Sequence, residues 1–233
     1  MQNSTRVITV ASSKGGVGKS TLCISLAGAL AHRGDAVHII DLDENRTVLR
    51  WYRQHDVALP RLSVSQVPPA ELLAHLKEVS GHANGPGVVL IDVAGVYEKA
   101  LLQAMARSHL VIVPAQPSEP DLHEAIKIIR DVADLNESFG GRIPYRLLLN
   151  MVEPLDPHYQ RHTIAEVARL GLQRFETLMH KRAAYREAFL NGKAPHQCAE
   201  GRPSALKAVV EIDAIVAEID ALLGITHVTR AAA

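Results

Sequence analysis

Two lysines, two serines, a threonine and three glycines crowd into one short run near the start of the chain, Ser13-Lys14-Gly15-Gly16-Val17-Gly18-Lys19-Ser20-Thr21. Glycines let backbone N–H groups converge on an anion, and a helix beginning at the end of such a run adds partial positive charge. A lysine in that setting reaches the outer phosphates of a nucleoside triphosphate, and the hydroxyl after it ligates Mg²⁺. Here those residues are Lys19 and Ser20. Gly15, Gly16, Val17, Gly18, Lys19, Ser20 and Thr21 are the expected nucleotide contacts, with ATP and Mg²⁺ the expected cofactors. One position departs from the common pattern: residue 13 is serine where glycine is usual, and a second lysine, Lys14, opens the loop.

The loop needs a strand before it and a helix after it. Val7-Ile8-Thr9-Val10-Ala11 is apolar and strand-like, and Leu22 to Leu30 has helical spacing. The expected strands in full are Arg6–Ala11, Ala36–Ile40, Leu62–Val67, Val88–Ile91, Leu110–Val113 and Tyr145–Leu149. Most are continuous apolar runs, the mark of strands covered on both faces in a parallel sheet. The helix Lys19–His32 places Leu22, Leu26, Ala29 and Leu30 on one face and stops at Gly34. Ser118 caps a helix over Pro120–Leu135, with Asp121 three residues on and Leu122, Ala125, Ile126 and Ile129 as its apolar stripe. The last helix, Pro203–Leu223, buries Val209, Ile212, Val216, Ile219 and Leu222 and turns Glu211, Asp213, Glu218 and Asp220 outward. Ser80–Pro86 reads as a surface loop. The expected organisation is one domain over residues 1–225 and a flexible tail over 226–233. Ligands in open parallel sheets bind at the C-terminal strand edge. Asp92 ends the run Val89-Leu90-Ile91 and is placed there to hold a magnesium ion. Gly95 follows it as a flexible turn, and the acidic segment Asp41-Leu42-Asp43-Glu44-Asn45 follows another strand.

The signature Lys-Gly-Gly-x-Gly-Lys-Ser/Thr resembles the deviant Walker A group, the ParA and MinD ATPases. The resemblance implies an α/β P-loop NTPase fold, three-layer α/β/α around a mainly parallel twisted sheet. It implies that Lys14 crosses a homodimer interface to the partner's ATP, so that Lys14, Lys19 and Asp43 are catalytic. In the family's Asp-x-Asp-Pro-Gln segment the first Asp lies near Mg²⁺ and the second orients the attacking water. Carried over, Ser20, Asp41 and Asp92 form the metal shell and Asp43 positions water. Glu44-Asn45 replaces the family's Pro-Gln, which changes the shape of this loop. Val111-Ile112-Val113-Pro114 resembles the family's proline-bearing turn. Asn150, ending Leu147-Leu148-Leu149, resembles the residue that reads adenine; an amide offers both donor and acceptor. Phe175 to Arg186, with Gly192-Lys193, resembles the strand–helix–loop of the small ParA subgroup.

Composition narrows the partners. The chain has 233 residues, 25 Lys+Arg against 25 Asp+Glu, and 47% apolar residues. No global basic field exists, so DNA binding must come from a local patch. The expected patch is Lys181, Arg182, Arg186, Lys193, Arg202 and Lys207. Cys23 and Cys198, far apart, suit a reducing cytosol. The first strand begins near Arg6, and neither a signal peptide nor an N-terminal helix-turn-helix is expected before it. No run approaches the ~20 apolar residues of a membrane span, and the acidic last helix does not suit anionic lipid. The combined expectation is a cytoplasmic, slow, partner-stimulated ATPase, nucleoid-associated when ATP-bound. It forms ATP-sandwich dimers on non-specific DNA and drives plasmid or chromosome partition with a ParB-like adaptor. The alternative is a nucleotide-dependent recruitment and assembly module for conjugative DNA transfer or another large cargo, with hydrolysis incidental.

Overall fold

The computed structural model describes residues 5–54, 59–81, 85–93, 95, 98–200 and 202–225. The expected tail 226–233 and part of the expected loop Ser80–Pro86 lie outside the described residues. In chain order the elements are β1 (Arg6–Val10), α1 (Lys19–Arg33), β2 (Val37–Asp41), α2 (Thr47–Gln54), β3 (Leu62–Gln66), α3 (Leu72–Gly81), β4 (Val88–Asp92) and α4 (Glu98–Ala106). They continue with β5 (Leu110–Ala115), α5 (Glu119–Phe139), β6 (Tyr145–Val152), α6 (His158–Arg169), β7 (Met179–His180), α7 (Ala183–Asn191) and α8 (Pro203–Leu223).

The sheet order is β3-β2-β4-β1-β5-β6-β7, and every described pairing is parallel. Successive side chains on a strand point to opposite faces. Ile8 and Val10 therefore enter one apolar core with α1, α2, α7 and α8. Val7 and Ala11 enter a second core with residues of α3, α4, α5 and α6. This is the three-layer α/β/α arrangement, and it puts β1, the P-loop and α1 at the middle of the sheet.

The expected strands stand, each within a few residues of its expected bounds, and α8 has the expected bounds. Differences arise where packing outweighs periodicity. Nine consecutive residues of α1, Leu22 to Leu30, are buried, because the helix is covered by the sheet on one side and by α8 on the other. In α8 the acidic face is not free. Glu211 and Asp220 are buried, Glu211 accepting from Tyr185 Oη at 2.9 Å and Asp220 pairing with Arg33. Glu218 accepts the backbone N–H groups of Glu176 and Thr177 at 2.8 and 2.9 Å. Val209 and Leu222 are only half-buried, while Ile215 is fully so. The short strand β7 has two residues and no apolar run of its own. It joins the sheet beyond a β6 register shift at Met151, whose φ of 55° marks a bulge.

Near the edge strand, His38 of β2 is buried. Its Nδ1 and Nε2 meet Ser63 Oγ and Ser65 Oγ at 2.7 and 2.9 Å. Ser65 Oγ in turn meets His75 Nε2 at 2.8 Å. Burial first, and the neighbouring His75 second, push the His38 ring down from 6.5 to about 4. The fold thus favours neutral His38. Its contribution is full above the unfolded value and is lost as pH falls through 6.5 toward about 4. At one pKa unit per ~1.36 kcal/mol, the whole linkage is about 3 kcal/mol. Wild-type protein should lose about 2 kcal/mol of unfolding free energy between about pH 7.5 and about pH 5 through this ring. Urea titrations at the two pH values check this. A His38→Gln variant with the same pH dependence as wild type would contradict it.

Candidate functional site

The loop between β1 and α1 owes its shape to two glycines in the left-handed region, Gly16 at φ 78° and Gly18 at φ 92°. Gly18 is needed for a second reason: a Cβ there would sit 2.3 Å from Asn150 Nδ2. Asn150 itself is buried, two residues before the end of β6. Its Nδ2 donates to Val17 O at 2.7 Å, and its Oδ1 accepts from Met151 N–H at 2.7 Å. Asn150 thus fixes the loop to the far half of the sheet. From the other side, Gly95 packs so closely that a Cβ would lie 2.2 Å from Ser13 O.

Inside the loop, Lys19 Nζ donates to Lys14 O at 2.8 Å. Burial lowers the Lys19 pKa, opposed by the charges of Asp92 and Asp43. Ser20 Oγ donates to Asp92 Oδ2 at 2.6 Å. Asp92 is 1% exposed, and desolvation raises its carboxyl to about 7, with nearby Asp41 adding to the rise and the Ser20 hydrogen bond opposing it. Hydroxyl and carboxylate oxygens in contact at the mouth of a glycine cradle form a hard oxygen set that suits Mg²⁺. The residues therefore fit a metal–triphosphate. Cys23, one turn further into α1, is fully buried, and burial raises its thiol pKa; it packs rather than reacts.

Asp41 lies opposite Asp92 in the β2–β4 register. It is also fully buried, and desolvation is the largest influence raising its pKa. Its Oδ1 accepts Asp43 N–H, and its Oδ2 accepts the N–H groups of Val48 and Leu49, all at 3.0 Å. Asp41 thus caps α2 from outside the helix. Asp43 occupies the intervening turn, its Oδ1 accepting from Asn45 N–H and Nδ2 at 2.9 and 3.0 Å. Asn45, at the departure from the family's Pro-Gln, shapes this turn.

Lys14 pairs with a different helix. Its Nζ lies 2.7 Å from Asp121 Oδ2, in the first turn of α5. Asp121 is 5% exposed, and its Oδ1 is buried with no hydrogen-bond partner among the described atoms. Ser118 caps α5 as expected, accepting from Asp121 N–H at 3.3 Å, and Ser13 Oγ donates to Glu124 Oε2 at 2.8 Å. A cleft of about 720 Å³ opens here, lined by Ser13, Lys14, Gly15, Pro120 and His123 among others. The role of Asp121 was missed in the sequence. Its only signal was an acidic helix start following a strand that ends at the same edge.

The six expected DNA contacts all lie around α7 and the first half of α8. Lys181, Arg182 and Arg186 line a smaller concavity with Thr21, Asn150 and Tyr185. Lys193 and Arg202 line another depression, and Lys207 is exposed on α8. Lys181 pairs with Glu153 at 3.3 Å, Arg202 with Glu187 at 3.4 Å, and Arg182 with buried Glu211. His180 meets Glu211 too, at 2.6 Å.

Comparison with known proteins agrees with this geometry. The chain is 27% identical to protein ParA of Rhizobium radiobacter over 214 residues, 91% of this chain and 95% of that protein. It is 31% identical to protein virC1 of the same organism over 150 residues, 63% of this chain and 64% of that one. The structure superposes on the ATP complex of a Cyanothece McdA variant with a TM-score of 0.74, covering 97% of this chain and 99% of that one at 16% identity. Residues 8–195 match the CobQ/CobB/MinD/ParA nucleotide binding domain, and the chain belongs to that family.

Proposed function

We propose that the protein is a Mg²⁺-dependent ATP hydrolase that dimerises around ATP and positions a DNA cargo, in the manner of plasmid or chromosome partition. The observation that carries the reading is the Ser20–Asp92 contact at 2.6 Å beside Lys19 Nζ, beneath a loop that two left-handed glycines hold open. Full-length similarity to ParA supports the partition cargo.

Each residue has a part. The backbone of residues 15–21 takes the phosphates, and Lys19 exchanges its bond to Lys14 O for phosphate oxygens. Ser20 and Asp92 hold the metal, with Asp41 behind them. Bound Mg²⁺ neutralises charge developing on the transferred phosphoryl group. Asp43 orients the attacking water from the turn after β2. Asn150 and the wall formed by Thr21, Met179 and Tyr185 receive the base. Lys14 acts in trans. In the single chain it is held by Asp121, so dimer formation must exchange that ion pair for the partner's nucleotide. Protein–DNA contact then follows dimerisation, and a ParB-like adaptor stimulates turnover.

Lys14→Ala should retain ATP binding within about threefold and lose at least ~100-fold in kcat, a loss expected of a group that stabilises transferring phosphoryl charge. Isothermal titration and phosphate release read the two; normal turnover removes the trans-lysine assignment. Asp121→Asn should free Lys14. A half-exposed pair of this kind holds about 1 kcal/mol, so the ATP-analogue dimer should form at about fivefold lower protein concentration in sedimentation. A weaker dimer would make Asp121 an interface residue instead. Asp92→Asn removes a carboxylate whose pKa the fold raises to about 7. A raised acid stabilises most below its unfolded value and loses that contribution as pH climbs through 7. At about pH 8 the ligand-free variant should therefore melt about 5 °C above wild type while losing the Mg²⁺-dependent part of ATP affinity. A lower Tm would contradict the burial argument.

A further inference from the structure

Directly after the Asp43 turn, Arg46, Arg50 and Arg53 are all exposed, while Val48, Leu49 and Trp51 of the same segment are buried. A spacing of three places Arg50 and Arg53 on one stripe of α2, and Arg46 flanks them at its start. Arg46 holds the N-cap position, its carbonyl accepting Arg50 N–H at 2.8 Å, in a left-handed conformation at φ 51°. That conformation costs a non-glycine residue roughly 1–2 kcal/mol. None of the three pairs with an acid among the described residues, and Glu44 in the adjoining turn meets none of them. Lys181, Arg182 and Arg202 are by contrast each already neutralised by a glutamate, while Arg186, Lys193 and Lys207, unpaired among the described residues, have no tie to Asp41. A cation gains on meeting a phosphate only what it has not already spent on a neighbouring carboxylate.

The stripe is also tied to the nucleotide site. The carboxylate of Asp41, beside Asp92, holds the first free N–H groups of α2 at Val48 and Leu49. It meets the positive end of the helix dipole. Trp51 Nε1 anchors the opposite face to Ala188 O at 3.1 Å. From Arg46 to Arg53 the segment spans about 10 Å at ~1.5 Å per residue, comparable to three base-pair steps of one DNA strand.

We infer that Arg46, Arg50 and Arg53 form a duplex-DNA backbone contact surface whose placement is set from the nucleotide site through Asp41. The inference rests on the DNA-positioning reading above and assigns it a surface. The experiment is a salt titration of binding to a random-sequence duplex, followed by fluorescence anisotropy, with full-length protein, Mg²⁺ and a non-hydrolysable ATP analogue. For Arg50→Glu/Arg53→Glu, the slope of log affinity against log salt should fall by about 2, with at least a ~10-fold loss of affinity near 0.1 M salt. Arg50→Lys/Arg53→Lys should keep the slope, and Arg202→Glu should change it by less than about 1. If the double reversal fails to fold by circular dichroism, Arg50→Gln/Arg53→Gln carries the same expected slope change. Wild-type binding with an unchanged slope in the variants overturns the stripe and leaves DNA positioning intact. Wild-type protein that ignores the duplex overturns both, as does preferential binding to phosphatidylglycerol vesicles.

Discussion

Two buried carboxylates side by side govern the site. Asp41 and Asp92 end adjacent parallel strands in register, and almost no solvent reaches either. Water would disperse such charge cheaply; here each carboxyl must be met by the chain. Asp92 is met by Ser20 and Lys19, and Asp41 by the amides that begin α2. The compensation is incomplete, which is why both pKa values rise. A buried group left short of positive charge is a standing demand for a cation. The phosphate loop above it is a standing demand for an anion. A metal–triphosphate answers both at once.

Much of this was legible beforehand. The nine-residue loop, the strand before it and the helix after it follow from glycine spacing and apolar runs, and the structure places all three as read. The strand-terminal acids could be located at the sheet edge from Ile40-Asp41 and Ile91-Asp92 alone. What could not be read were contacts between distant segments. Asp41 is separated from Val48 and Leu49 by a turn whose shape depends on Asn45 and on the left-handed Arg46. The Lys14–Asp121 pair joins residues 107 positions apart. The acids of α8 look like a solvated stripe in one dimension, yet Glu218 accepts backbone N–H groups just before β7, Glu211 meets Tyr185 of α7 and Asp220 pairs with Arg33 of α1. Strand β7 has no pattern because a two-residue pairing beyond a bulge needs none.

The two lysines of the loop illustrate how position divides one chemistry. Lys19 is enclosed and points into the cradle, donating to Lys14 O. Lys14 stands at the rim, 39% exposed, held by an aspartate of another helix. One charge is committed to the chain's own loop, and the other is on loan to its own surface. Beside Lys14, Ser13 uses its hydroxyl to fasten the rim to Glu124 of the same helix.

Glu211 and Glu218 of the last helix hold the segment that walls the concavity beside Thr21 and Asn150. The glycine cradle is assembled from neighbouring residues, whereas the concavity beside it takes shape only when residues beyond 210 dock. Loosening the last helix would therefore open that wall while leaving the loop's own geometry in place.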